Sequence, residues 1–102
     1  MSRSLIAAVV LIFALAAQLV SQANLPKNGV VPDEATAVAV AEVFFQHVFS
    51  RETIAKFQPY HAQLEEGVWT VYGTLKQGSR GGTPMLRIKK QDGQVLEIWH
   101  SR

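Results

Sequence analysis

Cysteine is absent from the 102-residue chain. That excludes disulfide stapling, thiol nucleophiles and the lipid attachment that some export leaders carry, since each needs a thiol. A large charge of one sign is missing too. Ten Lys and Arg face eight Asp and Glu, and setting Arg3 aside leaves nine against eight. So balanced a chain is no nucleic-acid polyelectrolyte, and Arg87, Lys89 and Lys90 read as a solvated strand edge. There is no internal repeat and no low-complexity tract. No Ser or Thr stands in a nucleophile-elbow pattern. The three histidines, His47, His61 and His100, lack the spacing of a metal site, and no cofactor is expected.

One apolar run is present. Leu5 to Ala17 is unbroken and follows the positive start at Arg3, as in the core of a signal peptide. Ser21-Gln22-Ala23 places small residues at the positions a signal peptidase inspects. The reading is an export leader over residues 1–23, cleaved after Ala23, with a periplasmic or secreted product. An uncleaved inner-membrane anchor is the alternative. The run is short for a spanning helix, which needs roughly 20 residues.

Residues 24–32 read as an extended leader, because Pro26, Asn28-Gly29 and Pro32 oppose regular structure. Residues 33–102 then form one α+β domain. Asp33 is a good N-cap, and Glu34 adds charge where the helix dipole favours it. The main helix runs on to Phe49, with Val38, Ala41, Phe45, Val48 and Phe49 on the face that meets a sheet. Ser50 caps a second, short helix over residues 51–57, and Pro59 stops it.

Four antiparallel strands follow. The first alternates over residues 60–64. Residues 68–75, 85–89 and 95–99 are rich in residues that suit a pleated surface. Asp92-Gly93 marks the last hairpin, because Gly93 can take a positive φ. Strand alternation sorts Trp69, Val71, Leu75, Leu86, Ile88, Leu96 and Ile98 onto the helix side. Val68, Thr70, Tyr72, Thr74, Met85, Arg87, Lys89, Val95, Glu97 and Trp99 fall on the other. His61 points away from the apolar face, and His100 follows Ile98 on it.

That second face is mixed rather than plainly polar. Tyr, Trp, Met and Arg are enriched at protein interfaces and dominate their hot spots. Tyr72, Trp99, Arg87, Glu97, Met85 and Thr70 are therefore the candidate partner-binding residues. Their competing role is to cover cross-strand neighbours or to pack on the leader. The carboxylates have structural roles to hand: Asp33 as a cap, Asp92 in a turn, and Glu65-Glu66 in a solvated turn. No catalytic residue is assigned.

Short motifs recur in a particular order: Val31-Pro32-Asp33-Glu34 with Thr36-Ala37, Pro59-Tyr60, Gly67-Val68-Trp69 and Gly73, Gly81-Gly82-Thr83-Pro84, Lys90, Asp92-Gly93 and His100. Together they resemble the nuclear transport factor 2 fold immunity proteins, small domains found beside bacterial polymorphic toxins. The resemblance implies a compact cone-like roll, also comparable to cystatin-like folds, with one main helix and a short helix on a four-stranded sheet. It implies binding and neutralisation of a cognate toxin without catalysis. The wider fold has a longer helical start and a longer sheet, so this shorter chain implies a shallow pocket or none.

Two rival readings remain at this level. The hairpin Lys90 to Leu96 also suits an inhibitory or peptide-binding module like the small domains of protease propeptides. A small cone-fold enzyme would need an acid inside a pocket lined by Phe45, Phe49 and Trp69, and alternation places no strand carboxylate there. Edge strands in so small a sheet also leave the chain open to a homodimer or to strand addition by a partner.

Overall fold

The computed structural model describes residues 24–102. The export-leader reading of residues 1–23 lies outside them. Element order is α1 (Glu34–Val48), α2 (Arg51–Lys56), β1 (His61–Glu65), β2 (Val68–Tyr72), β3 (Pro84–Lys89) and β4 (Val95–His100). The strands form one antiparallel sheet in the order β1-β2-β3-β4. The helices pack on one side of it, so the chain is an α+β fold of the expected kind.

Each helix starts where a polar side chain can satisfy free amides. Asp33 is extended, and its Oδ1 accepts from the Thr36 amide at 2.8 Å and from the Thr36 hydroxyl at 2.6 Å. Those two bonds, the hydroxyl first, hold the Asp33 carboxyl below the usual carboxylate range. Ser50 Oγ accepts from the Thr53 amide at 3.1 Å and starts α2 in the same way. Phe49 and Phe57 are the C-caps rather than the last helical residues.

α1 lies across β1 and β2 and reaches β3. Its buried line is Ala37, Ala41 and Phe45, continued by the partly buried Phe49. Each i to i+4 step advances about 40° around a helix of 3.6 residues per turn. The line therefore drifts, and in the last turn Phe49 meets the core while Val48 is 54% exposed. Val48 was expected on the sheet side and is not there.

Three further side chains depart from simple alternation. β2 ends at Tyr72, because the Gly73 amide donates to Thr83 Oγ1 at 3.0 Å and the Thr74 amide to the Phe57 carbonyl at 2.8 Å. The chain has left the ladder before Leu75, which is exposed rather than on the helix side. In β4 the register shifts by one residue: Arg87 faces Glu97, but Ile88 faces Val95. Leu96 is the extra residue of a β-bulge. Val95 therefore packs on the core beside Ile88, and Leu96 is exposed, the reverse of the alternation read from the sequence.

The segment ahead of α1 is fastened to the sheet. The Val30 and Val31 amides donate to the Gln91 and Lys90 carbonyls at 3.1 and 3.0 Å. Trp69 Nε1 donates to the Val31 carbonyl at 2.8 Å. Gly29 (φ 80°) sits against the Lys90 carbonyl so closely that a Cβ would collide with it. The hairpin turn closes with the Gly93 amide on the Lys89 carbonyl at 3.0 Å, Gly93 at φ 75°, and Asp92 Oδ1 on the Gln94 amide.

Candidate partner-binding face

The space between α1 and the sheet is filled. Phe45 is fully buried, with its ring centroid 5.6 Å from Phe49 and 5.4 Å from Tyr60. Trp69 is core and its indole N–H is already bonded. Phe45 and Trp69 are buried in that packing, and Phe49 is partly buried against it. Tyr60 is buried and its hydroxyl donates to the Ile54 carbonyl at 3.0 Å. Burial, and then the nearby Glu42 carboxylate, push its phenol up to about 12. That shift has a structural cause. Among the described residues no group of three His, Asp or Glu is placed to hold a metal ion.

Among the described residues no helix or strand covers the opposite face of the sheet, and side chains collect there. Its order follows from the strand register. Tyr72 faces His61 on one side and Met85 on the other, and Met85 faces Trp99. Thr70 faces Gln63 and Arg87, and Arg87 faces Glu97. The six candidate residues therefore form two adjacent cross-strand rows. One is His61-Tyr72-Met85-Trp99, mainly aromatic and apolar. The other is Gln63-Thr70-Arg87-Glu97, polar with one charge of each sign. Directly opposed side chains in such pairs are close enough to support one another.

All six candidates are half-buried or exposed, as are His61 and Gln63. Cross-strand contact explains the partial cover, and the leader packs on the other side of the sheet through Trp69 and Val31. An aromatic row beside a charged row, with no described element over it, has the make-up of an interface core with a polar flank.

The register adds His61, which alternation places on this side. Its ring lies 5.6 Å from that of Tyr72. The Thr74 hydroxyl donates to the Pro59 carbonyl at 2.6 Å, which uses its one proton. The contact of 3.1 Å between His61 Nε2 and Thr74 Oγ1 must then have Nε2 as donor. This fixes the ring and leaves Nδ1 as the nitrogen able to accept from a partner. Only the pairing of His61 with Tyr72 reveals this role, and pairing is not visible in a single strand.

His100 belongs to the helix side. Its ring meets Phe49 at 6.0 Å and Phe57 at 5.4 Å, edge to face. A groove of about 530 Å³ opens beside Phe49, between the end of α1 and α2, lined by Gln46, His47, Arg51 and Ile54. No acid lines it. Among the described residues no helix is long and apolar enough to cross a membrane.

Comparison with known proteins gives one finding. A family model described as NTF2 fold immunity protein matches residues 36–102. No curated protein and no solved structure matches the chain.

Proposed function

This chain belongs to the NTF2 fold immunity protein family, and on that premise we propose that it binds a cognate bacterial toxin and blocks it without chemistry of its own. An immunity role is the family's general character; the toxin as partner and the contact surface are the proposal. The observation that carries the surface is the register, which gathers Tyr72, Met85, Trp99, Thr70, Arg87 and Glu97 into two rows on the side of the sheet away from α1. Tyr72 and Trp99 would be the anchors. Arg87 and Glu97 would select a partner of complementary charge. The toxin meets the protein outside the cytoplasm, after export on the leader of residues 1–23.

The test is co-expression with the toxin encoded beside it. Tyr72→Ala with Trp99→Ala should abolish protection and weaken complex formation by a hundredfold or more, as loss of two hot spots of about 2 kcal/mol each implies. Circular dichroism must show an unchanged fold. Full protection by a folded double variant removes this face from the reading. Mass spectrometry of the periplasmic fraction checks export: a product beginning at Asn24 is expected, and an intact N-terminus retained in membranes would favour the anchor.

A further inference from the structure

The two edges of the sheet are not alike. At β1 the outward amide of Ala62 is occupied: Glu34 Oε2, from the first turn of α1, accepts from it at 3.0 Å. A carboxylate placed on an edge strand blocks pairing with another chain. At β4 no described side chain occupies an outward amide in this way. The strand reads VLEIWH; its edge features, the bulge at Leu96 and the charge of Glu97, lie in its first half, and Ile98 to His100 run on regularly without lysine or proline.

The bonds that tie β4 to β3 show which of its amides face out. The Ser101 amide donates to the Thr83 carbonyl at 2.9 Å. Antiparallel bonding alternates, so Trp99 and Glu97 direct their backbone groups to β3, while Ile98 and His100 direct theirs away. Among the described residues neither of these two amides has a partner beyond the sheet. Leu96, within this strand, is 42% exposed.

We propose that β4 pairs antiparallel with β4 of a second copy of this chain, about a two-fold axis through Trp99. In that register Ile98 faces His100 of the other copy and His100 faces its Ile98, which gives four backbone hydrogen bonds and satisfies every outward amide named above. Trp99 faces its own counterpart in a non-bonded pair, where side chains approach most closely and aromatic pairs are favoured. Glu97 meets Ser101 of the other copy, so the two glutamates stay apart. A two-fold axis on Glu97 would instead set like charges against each other and put Ile98 opposite the bulged Leu96. The product is an eight-stranded sheet in which the aromatic rows of both copies run together, doubling the face described above. The pairing does not require a toxin, so it stands or falls separately from the proposed function.

The experiment is sedimentation of the purified full chain over a concentration series, with amide hydrogen exchange at low and high concentration. A dimer is expected, with the Ile98 and His100 amides protected only at high concentration and a near-ultraviolet exciton signal from the paired indoles that Trp99→Phe removes. Leu96→Lys puts a guard on the edge and should weaken the dimer at least about tenfold, while Leu64→Lys on β1 leaves it unchanged. A monomer at the highest soluble concentration overturns the proposal. So does a dimer in which those two amides exchange as in the monomer, or protection of them that arises only on adding the toxin.

Discussion

Trp69 and Val31 stand 38 residues apart in sequence and are joined by a 2.8 Å hydrogen bond from the indole Nε1 to the backbone carbonyl. Both are buried. The bond anchors the segment ahead of α1 to the middle of the sheet and fixes where that helix can begin. Trp69→Phe keeps an aromatic ring but leaves the Val31 carbonyl buried without its donor. The expected loss is about 1–3 kcal/mol of unfolding free energy, measured by urea titration. The Val30 and Val31 amides should also exchange faster, because their bonds to Gln91 and Lys90 hold the same segment.

The bulge in β4 makes a sharper forecast. Val95 and Leu96 are adjacent and similar in chemistry, yet only Val95 reaches the core. Val95→Asp forces a carboxyl against Ile88 and should cost more than about 2 kcal/mol. Leu96→Asp should stay within about 0.5 kcal/mol, as for an ordinary surface site. Thermal melts of the two variants decide it. The reverse order, with Leu96→Asp the costly change, would mean that the strand alternates without a bulge.

That pair also shows how far the sequence carries. The helix starts were legible because Asp33 and Ser50 each present a short polar acceptor just before an apolar periodic run. The three-residue pattern of Trp69, Thr70 and Val71 was legible because a regular strand has period two. The bulge was not, since inserting one residue needs knowledge of both strands, and nothing in Val95-Leu96-Glu97 marks it alone. Leu75 was misplaced for a similar reason. Its exit from the sheet is enforced by Phe57 and Thr83, which lie 18 and 8 residues away. The six candidate residues share one face because they lie where alternation holds, at Thr70, Tyr72, Met85 and Arg87 and beyond the bulge at Glu97 and Trp99. Their grouping into rows, and the inclusion of His61, needed the register.

Phe45 gives the strongest test of the packed interior. It is fully buried between α1 and the sheet, in ring contact with Phe49 and Tyr60. Phe45→Ala opens a hole there and should cost about 3–5 kcal/mol. A small domain has only about 5–15 kcal/mol in all, so this variant should be near or past its unfolding midpoint. Val43→Ala, two residues earlier and 57% exposed, should change stability by less than about 0.5 kcal/mol. Far-ultraviolet circular dichroism against temperature separates them. A cooperative melt of Phe45→Ala at the wild-type temperature would mean that the interior is not packed around this ring.

Tyr60 predicts an alkaline limit to stability. Its phenol, ordinarily near 10, is pushed up to about 12 because burial disfavours the phenolate and Glu42 repels it. The folded chain thus prefers the neutral ring, which donates to the Ile54 carbonyl. In the unfolded chain the proton leaves more readily. The stabilisation is therefore fully present below pH 10 and is lost as the pH rises from 10 towards 12. Unfolding free energy from urea titrations should fall across that window. Tyr60→Phe should begin lower, having lost the hydrogen bond to Ile54, but should show a flatter decline, since the group that titrates is gone. In a Tyr72→Phe background, which leaves Tyr60 as the remaining tyrosine, phenolate absorbance should appear together with the loss of far-ultraviolet signal. Phenolate that forms well before unfolding would show that the hydroxyl reaches solvent in the native fold.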